Sequence, residues 1–445
     1  MRYDVVVVGA GSAGAIIASR LSENPGCSVL LLEEGPDYPI ADHVPELISG
    51  KYGVMAGFAD PHIRNYASKA NSYKTEPMLM PSGKTVGGTS AINGSIFLRG
   101  TPTDFDCWVE RGNSEWSFEK VLPYYRKIER DLDFDGDFHN KFGPIPVQRV
   151  DRKTWPPNVE AFYQACLAEG YTESVDMNHP GASGIGPYPH NHVNDIRVNV
   201  AMAYLDPIRH RLNLTIRGNA LVTRVLFDRY RATGLEVMCD GEVFHVESKQ
   251  IVCSAGAFGT PMLLMRSGLG PHQDLKRLGI PTIYHSPGVG QNLRNHPVVG
   301  VLFRDAADIP KDNLLSLVVL RYTADGSDAV DDMSITVDNR WTIDGVPHTR
   351  LSACLEYANG RGSLTLTSTA TPSIPLIEYR YLEDSWDLIR LCEGARVAHK
   401  IGQNAVFRNI LGECVSPGED VMVSDDLLNE WVLYNVTTAH HSSGT

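Results

Sequence analysis

The stretch Tyr3-Asp4-Val5-Val6-Val7-Val8-Gly9-Ala10-Gly11-Ser12-Ala13-Gly14 decides how this chain is read. Tyr3 to Val8 is a short apolar run that stops at a glycine, the pattern of a strand buried on both faces. Ser12 to Glu23 mixes small residues (Gly14, Ala15, Ala18) with larger apolar ones (Ile16, Ile17, Leu21), which predicts a helix. After the Asn24-Pro25-Gly26 turn, the apolar run Ser28 to Leu32 predicts a second, parallel strand. The opening is therefore a βαβ unit with a GxGxxG loop at its first turn.

In that context each loop residue has a task. Gly9 permits the tight turn, Gly11 lets backbone approach a pyrophosphate, and Gly14 lets helix and strand pack closely. Ser12 and Ala13 open the helix, whose free N–H groups and partial positive charge suit phosphate. Glu33 ends the second strand, roughly 20 residues beyond the loop, where an acidic side chain accepts from ribose hydroxyls. An adenine dinucleotide is expected; this loop alone leaves NAD and FAD open.

Working outward, 445 residues exceed one compact core, so two domains, interleaved in sequence, are expected. A formal charge of −13 without a Lys/Arg block repels a polyphosphate backbone and excludes nucleic acid as a natural partner. No apolar run is long enough to span a bilayer, and the first strand begins too early for a leader, so a cytoplasmic protein acting on small molecules is expected. The eight cysteines are scattered without metal-like spacing and read as reduced, mostly buried thiols. His190 and His192 lack acidic or thiol partners at useful spacing, so they read as a core or solvated pair, and no metal is expected.

Pro36 to Pro81 has no clear periodicity and is expected to be an excursion covering the cofactor. Asn213 to Ile216, Ala220 to Phe227, Gly234 to Met238 and Val243 to Val246 predict successive short strands, a meander leading into the strand Gln250 to Ser254. From His296 to about Thr371, alternation such as that of Ser363 to Thr367 predicts an antiparallel sheet. Glu383 to Gln403 has helical spacing. The fold expected is α/β (α+β overall): a Rossmann-like cofactor domain from 1–40, 76–130, 206–297 and 431–445, and a substrate domain from 131–205 and 298–430, with 41–75 as the covering excursion.

Two long motifs carry a family resemblance. Gly83-Lys84-Thr85-Val86-Gly87-Gly88-Thr89-Ser90-Ala91-Ile92-Asn93, continuing through Phe97, Gly100 and Asp106, resembles the first signature of the glucose-methanol-choline (GMC) oxidoreductases. Gly256 to Gly270 is similar to the second signature, and Gly288 to Pro297 to the family's GVGxNLxDHP stretch, with Asn295 at the usual Asp position. The resemblance implies FAD as cofactor, with Gly87, Gly88, Thr89, Ser90 and Asn93 at the flavin side and the strand residue Val222 at the adenine. Some members tether the flavin through a His at the position of Ile92; an aliphatic side chain cannot form that bond, so non-covalent FAD is expected. For the second signature, Thr260-Pro261 predicts the start of a helix.

The chain ends Thr438-Ala439-His440-His441-Ser442-Ser443-Gly444-Thr445, which matches the family's H-x-x-G-T segment and picks His441, not His440, as catalytic base. An imidazole titrating near ~6.5 can take an alcohol proton as hydride leaves the same carbon. The family pattern is expected to continue past this segment into a second active-site His or Asn. The resemblance thus implies FAD-dependent oxidation of an alcohol to an aldehyde or ketone, with oxygen or another electron acceptor. A hydroxynitrile lyase of the same family and a catalytically silent FAD-binding fragment stand as alternatives.

Overall fold

The computed structural model describes residues 2–40, 43–50, 58–306, 309 and 316–445. The first strand, Arg2–Val8, pairs in parallel with Val29–Leu32 on one side and Glu242–Cys253 on the other. The helix Ser12–Leu21 connects the first two, as the sequence predicts. The six strands run in the order Leu214–Arg217, Val29–Leu32, Arg2–Val8, Glu242–Cys253, Arg231–Cys239, Leu221–Asp228. The last three form an antiparallel meander feeding back into the parallel part.

Strand alternation explains why both faces are apolar. Val5 and Val7 pack with Ala15 and Ala18 of the helix and with Val200, Leu205 and Leu214. Val6 and Val8 point the other way, against Val222, Leu235, Val237 and Leu263. Two expectations are corrected here. Leu214–Arg217 is not part of the meander but pairs in parallel with Val29–Leu32 at the far edge. Val243 to Val246 and Gln250 to Ser254 are one long strand, Glu242–Cys253, because its two halves pair on opposite sides with Arg231–Cys239 and Arg2–Val8.

A second sheet has the order Leu411–Ser416, Pro297–Asp305, Val346–Leu355, Met333–Ile343, Val318–Tyr322, Gly184–Pro187, antiparallel throughout. Its inner face (Val299, Val301, Phe303, Leu351, Ala353) packs on the helix Ser385–Gly402 through Leu391, Ala395 and Ala398. Gly402 is required at that contact, because a Cβ there would lie 2.2 Å from the Phe303 ring. Thr437–Thr438 adds to the end of Pro297–Asp305 and so brings the last residues of the chain to this sheet. Ser363 to Thr367 is the exception to the expected large sheet: Gly362–Leu366 alternates as read, but pairs with Gln291–Leu293 and Pro375–Glu378 in a separate three-stranded sheet.

The segment expected as an aperiodic excursion contains the strand Ile63–Ser68, which pairs as a hairpin with Met78–Gly83. Residues 41–42 and 51–57 of that expectation, and 307–308 and 310–315 of the expected antiparallel stretch, lie outside the described residues. All eight cysteines are free thiols; three are buried and five only half-buried, fewer than the composition suggests. Among the described residues no helix is long and apolar enough to cross a membrane.

Candidate active site

A cavity of about 510 Å³ opens at the carboxyl end of the first strand. Its walls include Gly9, Gly11, Ser12, Ala13, Glu33, Gly88, Thr89 and Val222, eight of the residues that the sequence points to. This is the crevice where an α/β sheet takes a ligand. Gly9 adopts φ +92°, and a Cβ there would sit 2.6 Å from the Ser254 carbonyl oxygen. Gly14 does not line the cavity; a Cβ on it would meet the Gly9 carbonyl oxygen at 2.0 Å, so it serves the helix-to-strand packing. At Gly11 the nearest atom to an added Cβ is 3.8 Å away, so the protein itself leaves that position open.

The two glycine loops touch. The Gly87 N–H donates to the Ala10 carbonyl at 2.9 Å, and a Cβ on Gly88 would lie 2.5 Å from the Gly11 Cα. Thr89 accepts the Gly83 N–H through its hydroxyl at 3.1 Å. Ser90 and Asn93 lie behind this surface: the Ser90 hydroxyl donates to the Gly87 carbonyl at 2.6 Å, and Asn93 is held through its side chain and carbonyl by the buried Arg197. Gly87, Ser90 and Asn93 are thus absent from the cavity wall and support the loop that forms it. Ile92 is buried against Ile48, Ile63 and Ala91.

Glu33 accepts the N–H of Ala10 at 3.0 Å and that of Gly35 at 3.1 Å, one on each carboxylate oxygen. Burial raises its pKa to about 7 against those two hydrogen bonds. Sequence reasoning missed the opposite wall, where Arg64, Tyr66 and Arg266 face the cavity. Arg266 ends the helix Gly256–Arg266, and burial lowers its pKa. That helix begins four residues before the expected Thr260-Pro261 start, and the Thr260 hydroxyl instead accepts the Ala255 N–H at 3.0 Å. Pro261 has no N–H for the Ala257 carbonyl, and the Thr445 hydroxyl supplies a donor to it at 2.5 Å.

The chain end folds back along the Gly288 to Pro297 stretch. Arg294 and Ser443 exchange two backbone hydrogen bonds at 2.8 and 2.9 Å, and the rings of His296 and His441 meet edge to face with centroids 5.2 Å apart. Asn295, the departure from the family's Asp, is the anchor: its Oδ1 accepts the N–H of His296 at 2.8 Å and of His441 at 2.9 Å. Its Nδ2 donates to the Thr438 hydroxyl at 2.7 Å. His296 was missed in the sequence; its Nδ1 is 3.4 Å from Glu356 Oε2, and Glu356 also accepts the Ser334 hydroxyl at 2.6 Å.

Surrounding protein lowers the His441 pKa, His296 lowers it further, and Glu356 opposes both. For Glu356, burial pushes upward but His296, Ser334 and His441 outweigh it, leaving the carboxyl below its ordinary value. Both side chains keep accessible surface although protein surrounds them. His440, in contrast, takes φ +67° and faces Phe58, with ring centroids 6.0 Å apart.

The sequence profile of the GMC oxidoreductases matches residues 3–298. The chain belongs to the GMC oxidoreductase family. Among its relatives, the oxygen-dependent choline dehydrogenase of Staphylococcus haemolyticus is 30% identical, over 99% of this chain and 83% of that protein. The 5-(hydroxymethyl)furfural oxidase of Methylovorus sp. is 31% identical, over 100% and 88%. The crystal structure of pyridoxine 4-oxidase from Mesorbium loti superposes with a TM-score of 0.93 at 26% identity, covering 100% of this chain and 88% of that one. GMC oxidoreductases are FAD flavoproteins, and FAD is the cofactor of this chain; its fold is the family's Rossmann-like cofactor fold, and it is an oxidoreductase for alcohol-type donors. The glycine cradle, with positions that a Cβ would fill and one left open, fits that cofactor.

Two other polar clusters are structural. Glu129, Asp131 and His139 could hold a cation by geometry, but Arg149 bonds Asp131 at 2.6 Å and Arg99 bonds Glu129 at 2.5 Å, so the acids are already neutralised. His139 is desolvated, yet Asp131, Asp176 and Glu129 outweigh this and raise it to about 10. His190 is a core histidine: it donates from Nε2 to the Ser316 carbonyl at 3.0 Å, and burial lowers it to about 3.

Proposed function

We propose that this GMC oxidoreductase converts an alcohol to an aldehyde or ketone, with His441 as the base. The observation that carries the reading is the His441 backbone pinned by Asn295 beside His296, with the surrounding protein and His296 both favouring the neutral imidazole over the charged one. A neutral imidazole accepts the hydroxyl proton as the carbinol C–H bond breaks, so no free alkoxide or carbocation forms. Bound FAD supplies the acceptor for the hydride. Gly9, Gly11, Ser12, Ala13, Glu33 and Val222 would hold its adenosine diphosphate half, and the Gly87 to Asn93 loop would place its flavin half. Because Ile92 offers no nucleophile, FAD is held without a covalent bond, and acid precipitation should release the yellow colour into solution. The six-stranded sheet then serves as the cofactor half and the seven-stranded sheet as the substrate half.

The test uses the FAD-loaded protein. His441→Ala should keep FAD yet lose about 10²- to 10⁴-fold in anaerobic flavin reduction by a saturating alcohol, while His440→Ala loses much less. Reduction of His441→Ala at the wild-type rate would end the assignment. A wild-type flavin that no alcohol bleaches, in a protein that cleaves a cyanohydrin, would favour the lyase.

A further inference from the structure

The ribbon that carries the two histidines also carries an arginine that the reaction above does not use. Arg294 and Ser443 form an antiparallel bridge, and the same register sets His296 opposite His441. Side chains alternate along an extended chain, and Asn295 points to the Thr438 side. Arg294 therefore lies on the face of His296, two residues or about 6–7 Å along the ribbon.

Two more guanidinium groups gather there. Arg361 Nη1 is 3.5 Å from Asn292 Oδ1, two residues before Arg294. Arg294 is partly desolvated and repelled by Arg361 and Arg111, with Tyr357 and Asp387 opposing. Tyr357, which feels both Arg111 and Arg294, follows Glu356, the partner of His296, and so links this cluster to the histidine pair. Among the described residues Arg111, Arg294 and Arg361 have no carboxylate ion pair; Asp387 is engaged by Arg390 at 2.7 Å and by the N–H groups of Asn359 and Gly360 at 2.9 and 2.8 Å. Two other enclosed arginines, Arg99 and Arg149, are by contrast paired with carboxylates. A protein with a formal charge of −13 thus keeps three uncompensated cations beside its base. Such a focus of positive potential attracts an anion, and guanidinium binds carboxylate in a two-pronged fashion.

We propose that Arg294, with Arg361 and Arg111, forms an anion subsite beside His296 and His441 that selects alcohols carrying a carboxylate across a spacing of about one benzene ring. The proposal rests on the alcohol-oxidation reading and names its substrate class.

The probes are 4-(hydroxymethyl)benzoate and its neutral counterpart 4-(hydroxymethyl)benzamide, with benzoate as a ligand that has no carbinol. The FAD-loaded protein should prefer the benzoate alcohol in kcat/KM by about 10- to 100-fold, the worth of a charge-assisted hydrogen bond. Arg294→Gln should cut that preference about tenfold or more, chiefly through KM. In the wild type alone, raising the salt should weaken the carboxylate substrate and leave the amide, which guards against a variant that folds poorly. Benzoate should perturb the bound flavin's absorbance with an affinity that falls in Arg294→Gln. This arm reads the subsite even if neither alcohol turns over, in which case the alcohol reading fails and the anion site stands. Equal kcat/KM for the two alcohols in the wild type, or equal losses on both in Arg294→Gln with benzoate binding unchanged, overturns the proposal.

Discussion

Replacing Asn295 with alanine tests whether the His pair is held by its backbone. Asn295 is buried, and its Oδ1 accepts two N–H groups, those of His296 and His441, at 2.8 and 2.9 Å. Alanine leaves both donors unpaired at a cost of about 1–3 kcal/mol each where water cannot reach, so about 2–6 kcal/mol in total if nothing relaxes. Relaxation means that His441 moves, and a displacement of about 1 Å at a catalytic group can cost about 10²-fold in rate. The expectation is therefore a loss shared between stability and rate. Asn295→Asp keeps an acceptor for both N–H groups but turns the donor to Thr438 into a second acceptor, so it should retain most of the rate at a smaller loss of stability. Thermal unfolding and anaerobic flavin reduction, measured on both variants, separate the two effects. An Asn295→Ala protein with wild-type unfolding temperature and wild-type reduction rate would refute the argument that this side chain positions the base.

Glu33 is raised to about 7 without ligand, and its two oxygens already accept N–H groups, so a ribose that donates to it favours the ionised form. FAD affinity for the apoprotein should then rise with pH, about tenfold between pH 6 and pH 8, and the slope should vanish in Glu33→Gln; a flat wild-type titration would contradict this. For catalysis, Glu356 opposes the lowering of His441. Glu356→Gln should therefore move the acid limb of the kcat/KM profile to lower pH, since the base stays neutral further down; movement upward would show the sign to be wrong. Gly11→Val should fold, because an added Cβ meets nothing nearer than 3.8 Å, and yet be colourless, whereas Gly14→Val should fail to accumulate because its Cβ would sit 2.0 Å from the Gly9 carbonyl oxygen. A yellow Gly11→Val protein would mean that no phosphate passes over that residue.

Much of the cofactor half was legible because its signals are local. The Val5 to Val8 run, the Gly9 to Gly14 loop and Glu33 lie within one βαβ unit, and the same few residues that set the turns also line the cavity. The meander edges and the helix start at Gly256 were less legible. Strand limits depend on which partner each half meets, as in Glu242–Cys253, and Pro261 within the helix disguises its interior as a first turn.

By itself, the sequence determined the βαβ opening, the two glycine loops, the absence of a nucleophile at Ile92 and the residue type at His441, because each follows from residue identity and short spacing. Only the tertiary structure decided that Arg64 and Arg266 close the cavity, that Asn295 holds the backbone of both histidines, and that Glu356 and Arg294 flank them. These residues are brought together by pairings far apart in the chain, Asn295 with His441 across 146 positions among them. A pairing of that length leaves no periodicity in the sequence, because it is set by the packing of the two sheets and not by any neighbour along the backbone.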